Sequence, residues 1–357
     1  METVPTQRLG FVDALRGLAV VWMIETHVVH ICLSSIWKTG WWYWLVNLSN
    51  GYVAVAFVFC AGAGFWMAIE KKGTINFLRV GFVLMVGYWL NLPSMSLHKT
   101  LQDLPHMLPL IARCDVLHAI AFSYFISFLF IFSFRRIRRS YFLFGILTLA
   151  VFFTSPLVQG LSLPLPVFFS SLFSPESKFP LFPWMGYFFA GIFFMGLVSR
   201  SENKKKVMIW LAVLSILIPW FLYHQPWILS HIPHWNDLGH ASPGHALFRL
   251  GGVVFLFALF YFLPPFSFLK NIGQESLFFY VLHLLIVYGG GVSYGLYAFI
   301  PNLATPLQAF LITLSVTAVC ATLAHMWHAY KISSPRQARQ VITALVVLFG
   351  IVYSLTP

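Results

Sequence analysis

Residues 8–27 read RLGFVDALRGLAVVWMIETH, an apolar run that carries Asp13, Arg16, Glu25 and His27. A bilayer core holds no water to solvate a charge, so an ionisable side chain within a membrane helix is costly and becomes a functional-site candidate. Arg16 and His27 are eleven residues apart, about 16 Å along a helix axis and about three full turns. Both side chains therefore leave one helix face, a guanidinium toward one membrane surface and an imidazole toward the other. Glu25 points to the opposite face and is expected to pair with another helix. Asp13 is expected to cap the helix or to pair with Arg16 three residues on.

The rest of the chain continues that apolar character. Hydrophobic residues make up 59% of 357 and charged residues 9%, against about a quarter charged in soluble domains. Stretches long enough for a roughly 30 Å hydrocarbon core recur near 11–33, 51–70, 76–93, 117–133, 141–158, 180–198, 206–223, 245–263, 275–298, 305–328 and 338–355. The reading is an all-α, polytopic integral membrane protein of about eleven transmembrane helices, one unit over residues 1–357. The first span has a charge in its opening turns and no small-residue cleavage site after it, so it is expected to be retained and not cleaved as a signal.

Basic residues orient the chain. With the N-terminus in the cytoplasm, the connections near 71–79, 134–140, 199–206, 264–276 and 329–339 are inside. Together with Arg8 and Arg16 they hold 17 of the 22 Lys and Arg, leaving Lys38, Lys99, Arg113, Lys178 and Arg249 on the other side. That split obeys the positive-inside rule. The net charge of +12 is thus a topology signal; membrane lipid, and not nucleic acid, is the expected partner. The outer face carries the longer Pro- and aromatic-rich connections 34–50, 94–116, 159–180 and 224–244, and longer loops tend to carry function.

Ten of the thirteen histidines fall toward that outer face. His27 and His30 end the first helix, His98, His106 and His118 lie in or beside the second outer connection, and His224, His231, His234, His240 and His245 line the fourth. The last four fit no compact ligand spacing and no Cys joins them, so no metal is expected. His283 lies deep in the ninth span, and His325 and His328 lie near the inner end of the tenth. His27 reads either as a helix-end imidazole bonded to a carbonyl or as a general base facing a cavity, with His30 one turn on.

Several stretches carry a family resemblance. Residues 8–27 resemble the opening helix of the heparan-α-glucosaminide N-acetyltransferase-like family, and Arg16 and His27 match the Arg-x10-His signature of the related acyltransferase family 3. FCAGAG at 59–64, DVLHAIA at 115–121, FPWMGY at 182–187 and IGQESLFFYVLH at 272–283 follow in the same order, so the likeness spans roughly residues 8 to 290. One departure matters: the animal lysosomal enzyme of the family has Asn where His27 stands, with its proposed catalytic His in the first outer loop. That loop holds no His after His30 here, which makes His27 the candidate base.

The resemblance implies that acetyl-CoA, or another acyl-CoA, binds from the cytoplasm and gives its acyl group to an acceptor, a glycan by the family's analogy, on the far side of a bacterial inner membrane. It implies catalytic roles for His27, His283 and Arg16. Arg16, Arg79, Lys71, Lys72, Arg135 and Arg136 are candidates for the CoA phosphates, since Arg binds phosphate bidentately; for the 135–139 cluster topology alone is the preferred reading. Arg79, at the third helix boundary, is expected to be a costly buried charge. His30, Asp115, His118, Trp184 and Arg249 are candidates for the acceptor. Gly62 and Gly64 would let a pantetheine arm pass, or would let helices pack closely. Trp37, Trp41, Trp42, Tyr43 and Trp44 read as a sugar platform or as an interfacial belt. Cys32 and Cys114 share the outer side and leave a disulfide open, while a homodimer is compatible with the sequence. The rival readings are a transporter or flippase, for which intramembrane Arg and His would line a path, and a haem protein using His118, His283 and His325.

Overall fold

The computed structural model describes residues 10–74, 76–133, 141–161, 165–232, 234–235, 241–264, 266–290 and 293–356. α1 (Gly10–Cys32) leads through a short turn into α2 (Gly40–Asn50) and, two residues later, α3 (Val53–Lys72). Then come α4 (Phe77–Leu90), the short α5 (Leu97–Gln102) and α6 (Leu104–Ala112), α7 (Val116–Ser133), α8 (Tyr141–Gly160), α9 (Val167–Ser170) and α10 (Leu181–Arg200). α11 (Lys204–Tyr223), α12 (Pro226–His231), α13 (Pro243–Phe262), α14 (Ser267–Gln274) and α15 (Ser276–Tyr288) follow. A two-residue hairpin, β1 (Gly289–Gly290) with β2 (Ser293–Tyr294), precedes α16 (Leu296–Phe299), α17 (Pro306–Ser333) and α18 (Pro335–Leu355).

The fold is an all-helical membrane bundle. Among the described residues, nine helical stretches are long and apolar enough to cross a bilayer, with Gly40–Lys72 counted as one. The other two expected spans, 76–93 and 275–298, fall on the shorter α4 and α15. α15 ends at Tyr288 and not near 298, because Gly289 turns the chain at φ 82°, a conformation glycine adopts without steric cost. The expected connection 34–50 is also corrected: most of it is helix α2, with Trp41 and Trp44 exposed along it.

Local chemistry sets the helix ends. Asn76, Asn203 and Ser242 cap α4, α11 and α13 with side-chain oxygens, and Thr305 forms a capping box with Gln308 at α17. Such caps satisfy the free N–H groups of a first turn.

Close helix packing builds the core. α1 contacts α3, α13, α14, α15 and α17, while α10 packs on α3, α7 and α8. At the α1–α14 crossing, a Cβ on Gly17 would lie 1.9 Å from the Leu269 carbonyl oxygen, and one on Gly273 would lie 1.8 Å from that of Asp13. At the α3–α10 crossing, a Cβ on Gly62 would meet the Phe188 carbonyl at 2.0 Å and one on Gly191 that of Phe59 at 2.1 Å. Small residues let backbones meet where hydrophobic driving force between helices is absent. Gly62 therefore packs helices; it leaves no room for a ligand arm. α11 and α18, by contrast, are mostly exposed along their length.

Several contacts tie the connections between helices to one another. Lys38 Nζ donates to the His30 carbonyl and to Asn302 Oδ1, Phe179 N–H to the Cys114 carbonyl, and Ser96 Oγ to the Thr356 carbonyl. Arg200 pairs with Glu70 at 2.8 Å, and Glu275 with His328 and Lys331.

Candidate active site

Four of the candidate residues meet in one polar cluster. His27, near the end of α1, has Nδ1 2.8 Å from the Tyr288 hydroxyl. Its ring stacks on His283 of α15 with centroids 5.5 Å apart and planes at 26°. Tyr280, one turn before His283, meets that ring edge-on at 5.5 Å and points its hydroxyl to Asp115 Oδ1 at 3.4 Å. Asp115 lies just ahead of α7, where its carboxylate accepts the Val116 N–H and its own N–H donates to His118 Nδ1 at 3.2 Å. His118 in turn packs edge-on against Tyr88 of α4, centroids 4.2 Å apart. α1, α4, α7 and α15 thus converge on a line of imidazoles, phenols and one carboxylate.

The cluster has strong electrostatic character. His283 is fully buried; its Nδ1 is 3.0 Å from the Phe279 carbonyl oxygen, and its Nε2 has no hydrogen-bond partner. His118 Nε2 is likewise buried without one. Unpaired buried polar atoms are uncommon and call for an explanation. Burial pushes the Asp115 carboxyl above its ordinary range, opposed by the Val116 N–H, the charge of Lys178 and the Tyr280 hydroxyl. Lys178 is exposed and acts on the site by its charge alone; it belongs to the strap 171–180, which is tied to residue 114 on both sides of the lysine. The Cys114 N–H donates to Ser177 Oγ, and the Phe179 N–H donates to the Cys114 carbonyl.

The remaining candidates lie elsewhere. His30 is exposed at the end of α1. Trp184 is buried against Phe179 and Tyr187, and Arg249 stands beside Tyr187, so these two form a neighbouring group on α10 and α13. Glu25 lies beside Asn50, the last residue of α2 and a neighbour on another helix.

Arg16 lies toward the other end of α1. It donates to the Cys60 carbonyl at 2.9 Å and stands 3.7 Å from Asp13 Oδ1. A Cβ on Gly64 would come within 2.9 Å of its guanidinium, so the glycine gives that side chain its space. Arg16 and His27 keep their spacing on the unbroken α1, but one meets α3 and the other α15.

Arg79 corrects an expectation: it is exposed in the first turn of α4 and is no buried charge. Lys71 and Lys72 are exposed at the end of α3. Arg135, Arg136 and His240 lie outside the described residues. Cys32 and Cys114 are both free and buried, without the disulfide their shared side left open.

Sequence reasoning missed Tyr288 and Lys178 and did not connect Tyr280 to Asp115. Tyr280 sits three residues before His283, the neighbour spacing on a helix, so it was within reach. Tyr288 is five residues beyond His283, off that face, and only the helix end beside His27 brings it in.

These features define a polytopic helical membrane protein whose first helix delivers a histidine to a polar cluster inside the bundle. The family described as heparan-alpha-glucosaminide N-acetyltransferase, catalytic, matches residues 8–229, more than half of the chain. The chain belongs to that family of acetyltransferases. The match includes His27, Asp115, His118 and Trp184 and stops short of Arg249, His283 and Tyr288. A comparison with curated proteins found no match.

Proposed function

We propose that the protein is a transmembrane acyltransferase that moves an acyl group, acetyl by the family's name, from cytoplasmic acyl-CoA to an amine or hydroxyl of a glycan on the other side of a bacterial inner membrane. The observation that carries this reading is the His27 environment: a half-buried imidazole bonded to Tyr288 through Nδ1 and stacked on the buried ring of His283. With Nδ1–H donating to the Tyr288 oxygen, Nε2 holds the lone pair. The acceptor's N–H or O–H gives its proton to His27 Nε2 as its heteroatom attacks the thioester carbonyl. A C–N or C–O bond forms, the C–S bond breaks, and the departing CoA thiolate takes up a proton.

His283 orients that base by stacking, and the Tyr280–Asp115–His118 line offers donors and acceptors to the acceptor's hydroxyls. Arg16, near the opposite end of α1, supplies a cation for the donor's phosphates, with Lys71, Lys72 and Arg79 at the surface. Arg249 and Trp184 serve the acceptor side. The topology that suits these roles puts the N-terminus in the cytoplasm.

The test is transfer itself. Purified protein in lipid nanodiscs would be given radiolabelled acetyl-CoA with amino-sugar and neutral-sugar acceptors. Acceptor-dependent label transfer supports the reading; its absence with every donor and acceptor, alongside substrate flux in vesicles, would favour a transporter.

A further inference from the structure

α15 carries three of the side chains around the candidate base, yet it begins at a break at the far end of the bundle. Glu275, at φ −103° and ψ 23°, separates α14 from α15. Its carboxylate is buried, and α17 takes both oxygens: His328 Nδ1 lies 2.7 Å from Oε1 and Lys331 Nζ lies 2.5 Å from Oε2. His328 and Lys331 are one helical turn apart, so both reach one carboxylate. A buried carboxylate is tolerated only with such partners.

The other side of the break is also held. Gly273, two residues earlier, presses α14 onto α1 at the Asp13 carbonyl. From Glu275, α15 runs as a rod past Tyr280 and His283 to Tyr288, about 20 Å away at about 1.5 Å per residue. A tilt of about 5° at its base would move Tyr288 by about 1.7 Å over that length. The 2.8 Å contact between Tyr288 and His27 would not survive such a shift, and hydrogen bonds weaken steeply with distance and angle.

We propose that Glu275, clamped by His328 and Lys331, is a positioning residue for the acyl-transfer site, fixing the tilt of α15 so that His283 and Tyr288 hold the His27 ring. The proposal rests on the acyl-transfer reading for its catalytic consequence, while the clamp is testable without it. The charge lies at the end of the bundle opposite the cluster and touches neither substrate nor His27. Its effect passes through one helix.

The experiment uses the full chain in nanodiscs with Glu275→Gln, the milder Lys331→Gln that leaves the His328 contact, and Tyr288→Phe. Glu275→Gln is expected to speed backbone hydrogen exchange across residues 276–288 while α10 keeps its wild-type rate. It should lower kcat about 10–100-fold, the scale of a misplacement near 1 Å, with acyl-CoA KM unchanged. Combined with Tyr288→Phe its effect should be non-additive, because both act on the surroundings of one ring. Lys331→Gln should repeat the pattern at smaller amplitude.

Wild-type exchange in α15 for both variants would overturn the clamp, whether or not the protein transfers acyl groups. Faster exchange with wild-type kcat, or with losses that multiply independently in the double variant, would overturn the positioning role. A wild-type protein inactive with every donor and acceptor would instead overturn the acyl-transfer reading, and exchange alone would then decide the clamp.

Discussion

His27 of α1 and His283 of α15 lie ring over ring, 5.5 Å between centroids, with the Tyr288 hydroxyl bonded to the first ring at 2.8 Å. Two helices from opposite ends of the chain thus share one imidazole pair. The stacking holds the His27 ring by its face while Tyr288 holds it by an edge nitrogen. A base fixed in two directions presents its remaining nitrogen in one.

His27→Ala should therefore remove the base and leave the bundle intact. Acyl transfer is expected to fall about 10²–10⁴-fold, the usual contribution of a general base, with acyl-CoA binding by calorimetry unchanged. His30→Ala, at an exposed helix end, should cost far less. Transfer at the wild-type rate in His27→Ala would move the role to His283 or to another histidine.

Tyr288→Phe keeps the ring and deletes only the hydroxyl bonded to His27. A net hydrogen bond of about 0.5–1.5 kcal/mol corresponds to about a 2–12-fold loss of kcat, with little change in thermal stability. Steady-state rates and a melting curve measured on the same preparation check both halves. A loss confined to stability would mean that the bond is structural.

Arg16→Gln should weaken donor binding more than Arg79→Gln. Arg16 is held between the Cys60 carbonyl and Asp13 within the bundle, whereas Arg79 is exposed and its field is screened over about 8–10 Å at physiological salt. Calorimetry with acyl-CoA at low and high salt separates them: the Arg79 effect should fade with salt and the Arg16 effect should persist. Equal affinity for both variants and wild type would remove CoA from this end of the molecule.

Gly273→Ala should damage folding directly. Its Cβ would fall 1.8 Å from a backbone oxygen of α1, so one helix must move, and overpacking typically costs about 1–3 kcal/mol or more. Gly81→Ala, where nothing lies within 4 Å, is the control and should match wild type. Yield of monodisperse protein and its melting temperature provide the readout.

Topology can be read with a cysteine placed at 137 and another at 44. A membrane-impermeant thiol reagent applied to intact cells should label 44 and spare 137. Labelling at 137 from outside would invert the orientation drawn from the 17 basic residues on one side.

The sequence by itself determined the class and most of the helices. Transfer of apolar surface into lipid is local and additive, so a run of about twenty apolar residues declares a span wherever it sits. It also marked His27 and His283, because an imidazole in such a run is costly anywhere, and Asp115 and His118 through the family resemblance of the stretch 115–121. It had no means to say that these four meet, that Tyr288 joins them, or that Arg79 stays at the surface. Those facts depend on where glycines let α14 press on α1 and α10 on α3, and on where Gly289 ends α15. Close packing and a helix end act between segments far apart in the chain, and only the tertiary structure decided them.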